Sequence, residues 1–223
     1  MFDSRRDWAD AGFSVLERAH EARIMVARHP DVPGVLFKKY SNAVSVDQRK
    51  NYASRVEGSQ RLTAFIREHG LEHVVVPDKR AIDLPVVFDT HGEEAQVLVV
   101  DQFDLVTPDE TRALYGSIDP VVLRELCFVL GTFRGLDSIV DNVTFTTGGK
   151  VAFIDTEHWY GGRRRPYLRY IRNHLSVESR KLAKKMFRRL RAGEESLGAL
   201  NGEVQGEGDD VRDQSSSWPR PLG

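Results

Sequence analysis

Apolar residues cluster in short runs over the first hundred residues, a pattern typical of β-strands. Two β-rich runs on either side of a turn signal predict a hairpin over residues 22–40. Two later runs, residues 73–77 and 95–103, predict further strands, and the second is apolar enough to be buried on both faces. This part of the chain is therefore predicted to form a sheet.

One helix is predicted between these strands. Ser45 and Gln48 form a capping-box pattern, and Gly70 ends the helical spacing just after His69. Apolar residues recur along this segment at helical spacing, which indicates a helix with one buried face. The stripe comprises Tyr52, Val56, Leu62, Phe65 and Ile66.

From residue 108 onward the apolar spacing becomes helical. Thr107 and Asp119 are predicted N-caps, and Pro120 takes the first helical position after Asp119. A further helix from about Val177 would align three apolar residues on one side: Leu182, Met186 and Leu190. Strands thus precede a mostly helical remainder, and the fold class predicted is α+β.

Polar residues interrupt this remainder at residues 137–157. Two β-like runs around a Gly-containing turn predict a hairpin there, with Asn142 just before its first strand and Asp155 just after its second. Such a hairpin would bring Asn142 and Asp155 together, and amide and carboxylate oxygens are ligands that Mg²⁺ prefers. Asp137 would be a separate carboxylate in the same cleft, able to orient a hydroxyl and accept its proton.

The spacing "DSIVDN", followed by an Asp thirteen residues after the Asn, resembles the protein-kinase-like superfamily. This resemblance implies an ATP- and Mg²⁺-dependent phosphotransferase, with Asp137 as catalytic base and with Asn142 and Asp155 as metal ligands. It also implies two lobes: an N-lobe of antiparallel sheet plus one helix over residues 1–101, and a reduced, mostly helical C-lobe over residues 102–193.

The same family places a lysine on the third strand of the N-lobe, and "VLFK" supplies Lys38 as the ATP-binding lysine. Lys39 remains an alternative, because strand residues alternate between two faces. The family pairs this lysine with a helix glutamate, and Glu57 lies nineteen residues after Lys38. At about 100° per residue, however, Glu57 points away from the apolar stripe, whereas Arg55 falls on it.

The resemblance further implies that the chain from Asp101 through Gln102 to Phe103 is the hinge whose backbone meets adenine. Several family motifs are missing: no G-x-G-x-x-G lies between the first two strands, "GLD" replaces H-R-D, "DTE" replaces D-F-G, and no A-P-E follows. Glu157 of "DTE" receives no role from the family. The chain is therefore similar to small atypical kinases, such as bacterial effector-type kinases, and a pseudokinase is the alternative.

By analogy with the family, the acceptor is a Ser or Thr hydroxyl on a protein. Small-molecule hydroxyls and nucleotidyl transfer stay open. A different alternative takes Asp155, Glu157 and His158 as a metal-hydrolase cluster, although neighbouring residues at a strand end cannot all face one ion.

Length, composition and charge limit the classes of protein to which this chain can belong. With 223 residues, 40% of them hydrophobic, and a formal net charge of -1, the chain can bury a core and offers no whole-chain argument for nucleic acid. The single Cys127 lies in an apolar stretch, which indicates a buried thiol. No signal-peptide pattern begins the chain and no run of about 18 apolar residues occurs, so we expect no transmembrane segment and a cytoplasmic location, with export as an effector as the alternative. Residues 194–223 are rich in Gly, Ser and acids and are predicted to be a flexible tail.

Charge is distributed unevenly along the chain. Residues 161–193 carry twelve Lys or Arg against the single Glu178. The segment 163–191 could therefore serve an interaction module that binds an acidic surface, either lipid or nucleic acid. The other interpretation is a helix whose apolar stripe packs inward and whose basic face is solvated.

Overall fold

The computed structural model describes residues 4–16, 24–40, 47–88, 94–133, 135–157, 159, 168 and 170–193, with the side chains of 85–88 and 94 excepted. Within these residues the protein is α+β, as the sequence predicts. The predicted tail, His158 and part of the basic segment 163–191 lie outside the described residues.

A five-stranded antiparallel sheet forms the first half of the fold. Its strands run in the order β1, β2, β3, β6, β5. The bounds are β1 Ser14–Val15, β2 Ile24–His29, β3 Val32–Tyr40, β5 Lys79–Phe88 and β6 Glu94–Asp101. A short helix, α1 (Arg5–Asp10), precedes the sheet.

The predicted hairpin over residues 22–40 is confirmed, because β2 and β3 pair antiparallel. The prediction of a doubly buried strand is also confirmed, since β6 has β3 on one side and β5 on the other and its residues 97–100 are all buried. Strand β5 was not predicted. It carries Lys79, Arg80, Asp83 and Pro85. Because β5 lies at the sheet edge and pairs on one side only, it forms a strand in spite of these residues and of its weak apolar pattern.

Helix α2 (Gln48–Glu68) crosses one face of this sheet. Its N-cap is Asp47, whose side chain accepts from the Lys50 N–H, so the prediction of Ser45 as cap residue is wrong. The first half of α2 buries Tyr52 against the sheet, while Leu62 in the second half joins the core of the helical part. The helix therefore contacts both parts of the molecule.

Three further helices make the second half of the fold: α3 (Pro108–Gly116), α4 (Pro120–Thr132) and α5 (Val177–Arg191). Thr107 and Asp119 cap α3 and α4 as predicted. Cys127 is buried on α4, which confirms that prediction. The apolar stripe of α5 packs inward against the core as predicted: Met186 is buried and Leu182 and Leu190 are partly buried there. Those side chains are therefore unavailable for insertion into a lipid surface.

A second, three-stranded sheet joins the two halves of the sequence. Strands β7 (Val143–Phe145) and β8 (Val151–Phe153) form a hairpin, and β4 (Val74–Val75) pairs parallel with β8. A 3₁₀ turn, Ile171–His174, precedes α5. No helix of the described part of the chain is long and apolar enough to span a bilayer.

Candidate active site

The hairpin of β7 and β8 forms at the position that the sequence predicts. One step beyond its last paired residues, the Ile154 N–H donates to the Asn142 carbonyl at 2.8 Å. Asn142 and the residue that precedes Asp155 therefore face each other across the base of the hairpin. Asp155 follows Ile154 directly, so the backbones of the two predicted ligand residues lie close together at the base of the hairpin.

Asp137 lies in the segment that leads from α4 to this hairpin. A turn closed by the Asn142 N–H on the Ile139 carbonyl, at 3.0 Å, connects the two. Oxygen Oδ1 of Asp137 is buried and accepts no hydrogen bond from the described residues. A buried carboxylate oxygen needs a hydrogen-bond donor, which an ordered water, a ligand or a reacting hydroxyl can supply.

The two candidate lysines of β3 lie on opposite faces of the sheet. Lys38 shares the face of Tyr40, which packs against α2, and its ammonium group interacts electrostatically with Arg55 and Asp155. Lys39 lies on the other face, is fully buried, and donates to the Tyr40 carbonyl at 2.9 Å. Of the two, Lys38 is the lysine that faces the hairpin.

Glu57 is not placed beside Lys38. It lies on an exposed part of α2, where its carboxylate bonds to Arg61 at 2.9 Å and half of its side chain is accessible (50%). This corrects the pairing that the family resemblance implies. Arg55, two residues earlier, occupies the inward position that the helical periodicity gives it, with only 11% of its side chain exposed.

The family pairs a strand lysine with a helix glutamate, whereas here the helix residue is the cation: Arg55 forms ion pairs with acids at the end of the hairpin. Its Nη2 donates to Glu157 Oε2 at 2.6 Å and lies 3.7 Å from Asp155 Oδ2. Asn51 and Ser54, from the same helix, also donate to Glu157, to its carboxylate and its carbonyl respectively. Helix α2 therefore supplies the cation, and the "DTE" segment supplies the acid.

Lys79, the first residue of β5, holds the same segment from the other side. Its ammonium group donates to the Ile154 carbonyl at 2.7 Å and to Thr156 Oγ1 at 2.8 Å, the residues on either side of Asp155. Thr156 Oγ1 in turn donates to the Arg55 carbonyl at 2.7 Å. The backbone on both sides of Asp155 is thereby fixed to the sheet and to α2.

Burial and neighbouring charge shift the pKa values of Lys38, Lys79 and Asp155. Burial, reinforced by Arg55, lowers the pKa of Lys38, although Asp155 opposes it. Burial lowers the pKa of Lys79 to about 7 in spite of the attraction of Asp155. For Asp155 itself, burial would raise the pKa, but Arg55 and Lys79 outweigh burial and the net pKa is lowered. Three basic groups therefore surround two carboxylates, those of Asp155 and Glu157.

Helix α2 touches the "DTE" segment backbone to backbone at Gly58. A Cβ atom at this position would lie 2.2 Å from the Thr156 carbonyl oxygen and 2.8 Å from Trp159 Cδ1. Since real Cβ contacts do not approach this closely, the glycine is required by the packing.

The predicted hinge begins at Asp101, the last residue of β6. The Gln102 N–H donates to the Gly34 carbonyl at 2.8 Å, and the Asp101 N–H donates to the Asp78 carbonyl at 3.0 Å. Asp101 is exposed, whereas Gln102 and Phe103 are half-buried. The chain then runs beside β7. It therefore connects the five-stranded sheet to the hairpin, and the contacts of these three residues with adenine stay a prediction.

Sequence reasoning missed Lys79 and assigned no role to Glu157. Both act through tertiary contacts between residues far apart in the chain, and no local pattern marks them. Arg55 could have been found, because its position on the apolar stripe of α2 already indicated a buried cation in need of an acid.

The donor types fit Mg²⁺. Among the described residues, no cluster of three or more His, Cys, Asp or Glu side chains could hold a metal ion. Mg²⁺ bound with a nucleotide needs only one or two protein oxygens, because water and phosphates complete its shell. Asn142 and Asp155 offer such oxygens. The hydrolase alternative would need the Asp155 and Glu157 carboxylates to face a metal ion, but both turn toward Arg55.

Neither a search of protein-family models nor a search of curated protein sequences finds a match for this chain.

Proposed function

We propose that this protein is an ATP- and Mg²⁺-dependent phosphotransferase with a minimal, two-lobed protein-kinase-like fold. The observation that carries the proposal is the convergence of three basic side chains, those of Lys38, Arg55 and Lys79, on the segment of Asp155. Burial lowers the pKa of Lys38 and of Lys79, so the carboxylates of the cluster do not fully compensate the burial of these two ammonium groups. A further anion would stabilise their charged forms, and a nucleotide phosphate supplies one.

Each part of the cluster has a role in this proposal. Lys38, on the third strand, contacts the phosphates, as the family lysine does. Asn142 and Asp155 hold Mg²⁺, which neutralises charge on the phosphates when it is bound. Asp137 accepts the proton of the acceptor hydroxyl. The presence of this carboxylate together with Asn142 and Asp155 supports an active enzyme over a pseudokinase, since a nucleotide binder without turnover needs no proton acceptor.

Arg55 and Glu157 replace the Lys–Glu pair with which protein kinases hold their helix. In this proposal they are positioning residues, because they hold α2 against the segment that carries Asp155. Lys79 serves the same end from β5. The acceptor class is a Ser or Thr hydroxyl on a protein, and it rests on analogy with the family alone.

The test is label transfer from ATP. Wild-type protein is incubated with Mg²⁺ and either γ-labelled or α-labelled ATP, with and without a protein mixture as acceptor. Transfer of the γ-label supports phosphotransfer to protein, whereas transfer of the α-label would assign nucleotidyl transfer. Asp137→Asn and Asp155→Asn should each lower the rate at least a hundredfold.

The matched control is Asp141→Asn. Asp141 lies in the same segment but is exposed, so its loss should leave the rate within about twofold. Stabilisation by Mg-ATP without transfer of either label would identify a pseudokinase. Neither stabilisation nor transfer would refute the proposal.

A further inference from the structure

A basic groove lies between the 3₁₀ turn and helix α5, and its described lining shares no residue with the cluster around Asp155. Its volume is about 810 Å³. The cations that line it are Arg172, Arg180, Lys181, Lys184, Arg188 and Arg191, and no carboxylate lines it among the described residues. Leu168, Leu175 and Phe187 also line it but are buried, whereas Val177, which is 57% exposed, adds accessible apolar surface. The groove is therefore a concave site with basic walls and an apolar component.

The cations are arranged in a row along α5. Arg180, Lys184, Arg188 and Arg191 follow each other at intervals of three or four residues and so share one face. At about 1.5 Å per residue the row is roughly 16 Å long. Like charges at this spacing repel one another and destabilise the helix. Glu178, the only acid of α5, does not line the groove.

The helix dipole explains only part of this row. Cations are favourable in the last turn of a helix, which accounts for Arg188 and Arg191. Arg180, Lys181 and Lys184 lie in the first eight residues of α5, where the dipole gives them no advantage. Their collection along one groove therefore favours an external anion as the compensating charge.

The shape and the lining of the groove distinguish between acidic partners. A flat anionic membrane does not enter a concave groove, and the apolar stripe of α5 is packed into the core. Single-stranded nucleic acid is bound by cationic grooves whose aromatic side chains stack on bases. Phe187, the only aromatic residue among the described lining, is only 8% exposed. An extended peptide places alternate side chains about 7 Å apart. This spacing is close to the roughly 6 Å that separates cations four residues apart along α5.

We propose that the basic groove binds an extended acidic peptide segment of a partner protein, with alternate carboxylates along the row of α5 and an apolar side chain against Val177. Recognition of acidic motifs by clusters of Arg is a recurrent mode of peptide binding. This proposal does not depend on phosphotransfer.

The experiment is fluorescence anisotropy on the full chain with a labelled 12-residue peptide of alternating Glu and Val. Binding should weaken at least tenfold between 50 and 200 mM salt. Lys184→Glu combined with Arg188→Glu should weaken it at least thirtyfold. Arg5→Glu combined with Arg6→Glu reverses two exposed cations on α1 and should change it less than twofold. Circular dichroism checks that both double variants keep their helix content.

Four results obtained without altering residues 194–213 would overturn the proposal. They are absence of binding at low salt, equal loss in the two double variants, tighter binding of a 12-nucleotide RNA than of the peptide, and tighter binding of phosphatidylserine vesicles than of the peptide. Binding that appears only when the acids of residues 194–213 are replaced by Gln would assign the groove to the chain's own acidic segment and would also overturn it.

Discussion

Substitution of Gly58 by Ala tests the contact between α2 and the "DTE" segment. The added Cβ would lie 2.2 Å from the Thr156 carbonyl oxygen, and ordinary contact begins near 3.4 Å. Helix and segment must therefore separate by about 1.2 Å. The obstructing atom belongs to the backbone, so rotation of a side chain cannot relieve the clash.

Overpacking of this kind costs about 1–3 kcal/mol. The separation also strains the bonds of Thr156 to Arg55 and Lys79, each worth about 1 kcal/mol. Against this, replacing Gly by Ala within a helix gains about 1 kcal/mol. The expected net loss of unfolding free energy is about 2 kcal/mol, which corresponds to a fall in Tm of roughly 4–8 °C for a chain of this size.

Urea unfolding followed by tryptophan fluorescence measures this loss. The matched control is Gly116→Ala at the exposed end of α3, where the new Cβ would meet nothing closer than 3.7 Å. That variant should be as stable as wild type or slightly more stable. The reasoning is refuted if Gly58→Ala unfolds at the same urea concentration as Gly116→Ala.

Three further predictions follow from the same cluster. Arg55→Gln and Glu157→Gln should each cost about 3 kcal/mol of unfolding free energy, and a double-mutant cycle should give a coupling of more than about 1 kcal/mol. The exposed pair of Glu57 and Arg61 on the same helix should couple by less than about 0.5 kcal/mol. Equal couplings for the two pairs would contradict the burial argument. Because the pKa of Lys79 falls to about 7 on folding from 10.5, the unfolded chain binds more protons above pH 7. The stability of wild type relative to Lys79→Met should therefore rise between pH 7 and 8.5 by up to about 1.4 kcal/mol per pH unit, and a flat difference would show that Lys79 does not titrate there. Asp155→Asn should abolish the rise in Tm that Mg-ATP gives wild type while Asp141→Asn preserves it, and a retained rise in Asp155→Asn would remove Asp155 from the metal site.

Local sequence patterns predicted the elements that have a clear apolar spacing or a recognisable cap residue. The hairpin of β7 and β8, the inner strand β6 and the caps Thr107 and Asp119 are confirmed because alternation, continuous apolar runs and cap residues act over a few positions. Strand β5 escaped notice because its charged residues and Pro85 break the apolar pattern.

The site was less predictable than the fold. The spacing of Asp137, Asn142 and Asp155 pointed to one loop and one hairpin, but their partners come from α2 and β5. Lys79 and Glu157 meet the rest of the cluster only after residues more than seventy positions apart pack together. Periodicity predicted the inward direction of Arg55 and the outward direction of Glu57, although the family resemblance implied that Glu57 pairs with Lys38.

Calorimetric titration with Mg-ATP tests the central claim, that the cations around Asp155 bind a nucleotide phosphate. Wild type should bind Mg-ATP, and Lys38→Met should bind it at least tenfold more weakly, a loss of about 1.4 kcal/mol. Lys150→Met removes an exposed lysine at the turn of the hairpin and should bind Mg-ATP as wild type does. Equal affinity in all three proteins, or no binding by wild type, would contradict the account.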